Sequence, residues 1–330
     1  MMVGKGARDF VARGAVIAAL ILVVVLLVNT WYVANIESQK QAYRKVADWE
    51  NYRASLPNST LEYAFFGDSH TRDDADPLFF PEAYNFAFSS EDYAETYFKL
   101  KSLYDQENIT IGTAVFEVDM HTFSDAARPA EDMFAYSVYT QYASYGEISR
   151  LTGKSIPAIF LSYEFPVIGN GKILILGMMQ RPTLTPIVRG WTKNDALFEG
   201  DKAFKASDRL RVSMGGKYSD VPGDRSMTYF LKAIKLAEDK GSRIVIVNYP
   251  VSREYDAALR SKGRSREAYY SAVFREVNLT LGSNYTVLDH YSDFFSCDEC
   301  FRDPDHLNPH GAELLSQRLA LEMNGFVVRK

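Results

Sequence analysis

Residues 61–70 read LEYAFFGDSH, and this stretch decides the fold class. The apolar run 61–66 is typical of a buried β-strand. The tight turn directly behind it carries Ser69, and a serine held in this way is presented as a nucleophile. We therefore expect an α/β domain with Ser69 at the carboxyl end of its first strand.

A second motif, DPDHLN at residues 303–308, lies near the other end of the chain. A serine hydroxyl is a weak nucleophile until a base takes its proton, and that base needs an acid to fix its tautomer. Ser69, His306 and Asp303 can fill these three roles. Asp305 is an alternative acid, but its position next to His306 suits it poorly to orient the ring.

Short apolar runs alternate with helical patterns through the rest of the chain. This alternation predicts a mostly parallel sheet covered by helices on both faces, with ligands at the carboxyl ends of the strands. Asn308 and Pro309 are typical of the start of a final helix. The predicted strands are 61–66, 84–88, 113–118, 243–248 and 285–288, and the predicted helices are 90–105, 226–240, 266–281 and 310–323.

The segment at about 126–225 does not follow this rhythm and is interpreted as an insertion that caps the site. Its tyrosines are expected to bind substrate, because tyrosine offers stacking area and a hydroxyl group. The apolar residues 156–179 are interrupted by charged residues, glycines and a proline, so a second membrane span is not expected. The tyrosines concerned are Tyr136, Tyr139, Tyr142, Tyr145 and Tyr163.

The N-terminal residues form a separate module. Residues 15–34 are long and apolar enough to cross a bilayer, and the basic residues before them place residues 1–14 in the cytoplasm. A cleaved signal peptide is the alternative, although no small-residue cleavage site follows the apolar run. We expect a single-pass cell-membrane anchor, a polar helical stalk at 35–57, and an α/β domain at 58–330 outside the cytoplasm.

Charge and cysteine content exclude some classes of function. The formal net charge of −5 and the absence of a basic stripe argue against nucleic-acid binding. Cys297 and Cys300 are the only cysteines, too few for a cysteine zinc site. Outside the cytoplasm they are expected to form a disulfide that stiffens the loop before His306, with free thiols as the alternative.

With these motifs in these positions, the chain resembles the SGNH (GDSL-like) hydrolase superfamily, whose first block is Gly-Asp-Ser and whose last is Asp-x-x-His. The resemblance covers most of residues 61–325 in block order. It implies a three-layer flavodoxin-like fold, a Ser69 nucleophile, a His306 base and an Asp303 partner. It implies no metal and no cofactor.

The middle blocks depart from that pattern. Where the family has a glycine that donates to the oxyanion, this chain has NFAFS at 85–89, so Asn85 or the backbone of Ala87 is the nearest equivalent. Where the family has an asparagine, this chain has Asp119 and His121. An ionised carboxylate cannot donate a hydrogen bond, which leaves His121 as the candidate donor there.

Within the superfamily, the anchored chain looks like the alginate O-acetyltransferase-like proteins and the proteins of teichoic-acid D-alanylation. That resemblance implies an esterase or O-acyltransferase with an acyl donor, a glycan acceptor and a membrane acyltransferase or glycan-assembly partner. Two alternatives stay open: a non-catalytic component of a glycan-assembly complex, and a metal-dependent hydrolase that uses Asp68, Asp303, His306 and His310.

Overall fold

A five-stranded parallel sheet forms the centre of the protein, and every strand pairing within it is parallel. The computed structural model describes residues 5–125, 129–169, 185–214 and 221–325. The order across the large sheet is β2-β1-β3-β6-β7, and β4–β5 and β8–β9 form small antiparallel ribbons. The strands are β1 (Thr60–Phe66), β2 (Ala83–Asn85), β3 (Thr110–Glu117), β4 (Ile187–Val188), β5 (Trp191–Thr192), β6 (Arg243–Asn248), β7 (Tyr285–Asp289), β8 (Phe301–Asp303) and β9 (His306–Leu307).

Helices cover both faces of the sheet. The two faces belong to different core clusters: Phe66 and Phe116 point to one, and Phe65 and Val115 point to the other. Alternate residues of each strand are therefore buried on opposite sides, as expected for a covered parallel sheet. The helices are α1 (Lys5–Asn35), α2 (Gln41–Arg53), α3 (Ser69–Asp74), α4 (Tyr93–Asp105), α5 (Tyr145–Thr152), α6 (Ile156–Glu164), α7 (Pro166–Gly169), α8 (Lys202–Ser213), α9 (Asp224–Asp239), α10 (Arg253–Ser261), α11 (Arg266–Leu281) and α12 (Pro309–Gly325).

The α/β class and the parallel sheet predicted from the sequence are confirmed. Strand β2 is shorter than predicted and ends at Asn85. The side chain of Asn85 forms hydrogen bonds with residues that follow β1. Its amide group donates to the carbonyl oxygens of Thr71 and Ala75. The chain therefore leaves the sheet early and turns across the carboxyl end of β1.

Of the described helices, only α1 is long and apolar enough to cross a membrane, and none of its most apolar 18-residue stretch is buried. The polar helical stalk predicted at residues 35–57 contains a helix, α2, but this helix lies against the domain. Helix α2 packs on the domain through Trp49, whose ring lies 4.9 Å from that of Tyr84 and 4.8 Å from that of Phe86. The polar appearance of this segment concealed one buried face.

The inserted segment between β3 and α9 contributes α5, α6, α7 and α8. Tyr139 and Tyr142 are buried in a core cluster that the insertion shares with α2 and α4, so these two of the five predicted tyrosines are not exposed to bind substrate. Helix α8 packs against α10 and reaches the carboxyl edge of the sheet. The apolar residues 173–179, considered above as part of a second membrane span, lie outside the described residues.

Candidate active site

The turn after β1 is built to hold Ser69 in one position. A side chain at Gly67 would lie 2.3 Å from both Glu117 Oε2 and Thr71 Oγ1, so only glycine fits there. The side chain of Asp68 caps α3 by accepting from the backbone N–H of His70 at 2.9 Å. Ser69 is the first residue of this helix and is half-buried.

The loop before α12 brings a histidine and a carboxylate to that serine. His306 Nε2 lies 2.9 Å from Ser69 Oγ, and His306 Nδ1 lies 2.8 Å from Asp303 Oδ1 and 3.0 Å from Oδ2. Asp303 Oδ1 also accepts from the backbone N–H of His306 at 3.0 Å. The three residues singled out in the sequence thus form one hydrogen-bonded chain.

The surroundings of His306 favour its protonated form. Burial opposes the charge on the ring, but the carboxylates of Asp303 and Asp305 outweigh it and raise the pKa above 6.5. A base with a raised pKa is stronger, and it accepts a proton from a hydroxyl more readily once it is neutral. The orientation of the ring and its basicity are therefore set by the same carboxylates.

Asp305 is a second carboxylate beside the ring, held by a residue of the insertion. Its Oδ1 lies 3.3 Å from His306 Nδ1, and Arg209 Nε lies 2.7 and 2.8 Å from its two oxygens. Burial opposes ionisation of Asp305, but His306, His70 and Arg209 outweigh it and hold the pKa well below 3.8. Asp305 is therefore an ionised, fixed charge, although Asp303 makes the shorter contact with Nδ1.

Arg209 is a site residue that the sequence did not reveal. One of its terminal nitrogens lies 3.4 Å from His306 Nε2, on the side where Ser69 also binds. It belongs to α8, inside a segment with no recognisable motif. Only the packing of α8 on the carboxyl edge of the sheet brings it to the triad.

Behind the triad lies a second, buried layer of histidines and carboxylates. His70 Nδ1 is 2.7 Å from Asp119 Oδ2, and His121 Nε2 is 2.7 Å from Asp68 Oδ2. Burial opposes the charge on His70, but Asp119, together with Asp305 and Asp68, raises its pKa well above 6.5. His70 is thus held protonated, where it balances the surrounding carboxylates.

Glu117, at the end of β3, holds the turn after β1 in place through hydrogen bonds. Its Oε2 accepts from the backbone N–H of Asp68 at 2.9 Å and from Thr71 Oγ1 at 2.8 Å. Burial, followed by the charges of Asp68 and Asp119, raises the pKa of Glu117 well above 4.5. A carboxyl residue ending an apolar strand was visible in the sequence, but its partners were not.

The donors predicted for an oxyanion are engaged elsewhere. Both donor bonds of the Asn85 amide go to backbone carbonyls, Thr71 at 2.6 Å and Ala75 at 2.9 Å. The N–H of Ala87 donates to Asn85 Oδ1 at 3.1 Å. Contrary to the prediction, the amide of Asn85 and the backbone N–H of Ala87 therefore do not face an oxyanion; His121, paired with Asp68, is likewise bound within the second layer.

The cysteines and Asn308 shape the loop that carries His306. Cys297 and Cys300 are joined by a disulfide, and the N–H of Asn308 donates to the carbonyl oxygen of Cys300 at 2.9 Å. Asn308 Oδ1 accepts from the N–H groups of His310 and Gly311 and so caps α12, as predicted.

The geometry offers other groupings for a metal than the one considered from the sequence. His310 is exposed at the start of α12 and belongs to none of the potential ligand clusters found among the described residues. The clusters that do occur overlap the buried layer, where nitrogen and carboxylate atoms already pair with each other. They are His70 with Asp305 and His306, His70 with Asp119 and His121, and Asp68 with Glu117 and His121.

No model of a protein family and no curated protein matches the chain.

Proposed function

We propose that the protein is a serine esterase or O-acyltransferase of the SGNH type that acts outside the cytoplasm on acyl esters of cell-surface polysaccharide. The observation that supports this most strongly is His306 bridging Ser69 Oγ and Asp303, at 2.9 and 2.8 Å. A serine, a histidine and a carboxylate in this sequence of hydrogen bonds are the elements of nucleophilic acyl transfer.

In the proposed mechanism, Ser69 Oγ attacks the ester carbonyl carbon while its proton passes to His306 Nε2. The tetrahedral intermediate collapses, the alcohol leaves with the proton from Nε2, and the acyl group remains on Ser69. A sugar hydroxyl or water then gives its proton to His306 and attacks the acyl-enzyme, which releases the product and restores the serine. Asp303 holds the imidazole in the required tautomer throughout.

In this proposal, Arg209 supplies a positive charge for the oxyanion and the backbone N–H of Ser69 supplies a hydrogen-bond donor. The guanidinium lies within 3.4 Å of His306 Nε2, beside the reacting atoms. The N–H of Ser69 is the first of α3, and the first N–H groups of a helix have no partner within it. Electrostatic stabilisation of this kind is usually a large part of catalysis.

The architecture supports the SGNH assignment. The strand order of the large sheet, written by position along the chain, is 2-1-3-4-5, the order of flavodoxin-like folds. Ser69 and the loop with His306 lie at the carboxyl edge, where such folds bind ligands. The apolar part of helix α1 and the basic residues in its first turns support a membrane anchor with the domain outside.

The proposed acceptor, a surface glycan, derives from the resemblance of the GDSH and DPDHLN motifs to the anchored acyltransferase branch. An anchored enzyme also suits a substrate made at the membrane. Hydrolysis and transfer share every step up to the acyl-enzyme, so the acceptor is decided by which hydroxyl group reaches Ser69.

Fluorophosphonate labelling of the full-length protein in nonionic detergent, followed by peptide mass spectrometry, tests the central claim. We expect an adduct on Ser69 that is absent from Ser69→Ala and His306→Ala and retained in Ser292→Ala, a substitution of an exposed serine. An unlabelled Ser69 in protein shown to be folded would contradict the proposal and favour a non-catalytic component of a glycan-assembly complex.

A further inference from the structure

A cavity of about 390 Å³ lies between the start of α2 and the turn that follows β2. Three cationic side chains line it: Lys40 and Lys45 from the α2 side, and Arg72 from α3. Gln41 and Ser89 add neutral polar groups. No carboxylate is found among the described residues that line this cavity.

Lys45 is a buried lysine that forms no ion pair with any described residue. It is 2% exposed, and its Nζ donates to the carbonyl oxygen of Ala87. The neighbouring buried lysine, Lys99, has a carboxylate of its own, Glu91 Oε2 at 2.6 Å. An ammonium group carries three donors, so Lys45 keeps donor capacity that one carbonyl does not use.

The charge of Arg72 is only partly balanced. Its guanidinium binds Asp73, but Arg302 binds the same carboxylate. Two guanidinium groups therefore share Asp73, while a terminal nitrogen of Arg72 contacts Ser89 Oγ at the cavity wall. Lys40 is paired with Glu37 Oε2 at 2.6 Å, so the excess of positive charge around the cavity comes from Lys45 and Arg72.

The electrostatic environment of Lys45 agrees with an excess of positive charge around the cavity. Burial, followed by the charges of Lys99 and Arg72, lowers the pKa of Lys45 well below 10.5. A bound anion would counteract all three effects, since it favours the protonated lysine.

We propose that this cavity binds the phosphate group of a small anionic ligand. Phosphate oxygens accept charge-assisted hydrogen bonds from ammonium and guanidinium groups, and both kinds of donor line the cavity with the Ser89 hydroxyl beside them. The volume lies within the usual range of small-molecule sites. The cavity is a different site from the triad, because Lys40 and Lys45 lie at the start of α2 and Arg72 lies in the last turn of α3.

The position of the cavity suggests where such a phosphate comes from. Lys40 follows the apolar helix α1, which ends at Asn35, after a single short turn. With α1 in a bilayer, the cavity lies near the level of the lipid headgroups. A phospholipid headgroup and a free phosphate present the same chemistry, and the experiment separates them.

The experiment measures the thermal unfolding midpoint of the full-length protein in nonionic detergent. One arm adds inorganic phosphate and the other adds soluble dihexanoylphosphatidylglycerol, each against chloride at equal ionic strength. A ligand that binds only the folded state raises the midpoint with its concentration. Lys40→Gln and Lys45→Met should each weaken binding about tenfold or more, since each removes a charge-assisted contact.

Two matched variants complete the design. Lys262→Gln removes an exposed lysine away from the cavity and should bind as the wild type does, and so should Ser69→Ala. Binding in both arms supports a general phosphate site, and binding of the lipid alone supports a headgroup site. No rise in either arm, or a rise that persists in both Lys40→Gln and Lys45→Met, would overturn the proposal whatever the outcome of labelling at Ser69.

Discussion

Replacing Asp303 by asparagine should slow the reaction of Ser69 with a fluorophosphonate by about 10²- to 10⁴-fold. Asp303 Oδ1 accepts from the backbone N–H groups of Asp305 and His306, while Oδ2 accepts from Arg302 Nε. An asparagine therefore loses fewer bonds when its amide nitrogen takes the place of Oδ2. That nitrogen would then face His306 Nδ1 from about 3 Å and donate to it.

This contact forces the imidazole proton onto Nε2, where the ring can no longer accept from Ser69. The same substitution in serine-protease triads costs about 10⁴ in kcat. The expected range extends lower because Asp305 Oδ1, 3.3 Å from Nδ1, can still hold part of the population in the correct tautomer.

The assay is the second-order rate constant of labelling, measured across a range of pH. Reaction needs neutral His306, so the rate should rise with pH and reach half its maximum above 6.5, since Asp303 and Asp305 outweigh burial and raise the pKa of His306. Asp303→Asn should move this midpoint to lower pH. The exposed Asp298, changed to asparagine, is the matched control in the same loop.

Asp305→Asn provides the comparison that can refute the reasoning. It should lower the rate less than Asp303→Asn does, because Asp303 makes the shorter contact with Nδ1. If Asp303→Asn labels at nearly the wild-type rate while Asp305→Asn is the slower variant, the orienting carboxylate is Asp305 and the proposed triad is wrong.

Three further predictions concern stability, each measured by urea unfolding of the full-length protein. Burial raises the pKa of Asp74 from 3.8 to about 8, so wild-type stability should fall on the order of a few kcal/mol as pH rises through this window. Asp74→Asn should flatten that dependence, and an unchanged pH profile would contradict it. Opening the disulfide with Cys297→Ser should cost about 2 kcal/mol, the chain-entropy value for so short a loop; a far larger loss would mean that the bond organises the neighbouring site. Lys99→Met strands the buried Glu91 and should cost about 3–5 kcal/mol. Adding Glu91→Gln should recover part of this loss, and strictly additive losses would show that the pair is not coupled.

Much of the fold was predictable because the strands carry their own signal. The apolar residues 244–247 indicate a buried strand, and the predicted strand 243–248 coincides with β6. The end of β2 could not be predicted, because it depends on Asn85 bonding to Thr71 and Ala75, residues of a different element. The burial of Trp49 was hidden for a similar reason, since its helix is otherwise polar.

In the candidate site too, residues that stand in motifs were predictable, and residues placed by packing were not. Ser69, Asp303 and His306 stand in short motifs whose spacing indicates their chemistry, and the structure brings them together. Arg209 has no motif, and its contact with Asp305 exists only because α8 packs on the edge of the sheet. Local sequence therefore predicted the reacting groups but not the charge that surrounds them.

The packing of α2 restricts how far the domain can move relative to a membrane-embedded α1. Trp49 seats this helix in the core, and Asn29 of α1 donates to the carbonyl oxygen of Glu164 in the insertion. With α1 embedded in a bilayer, no flexible linker would separate the domain from its membrane anchor. Ser69 would then stay at a nearly constant distance from the membrane surface. Its encounter rate with a substrate would depend on lateral diffusion in the membrane and not on the length of a flexible linker.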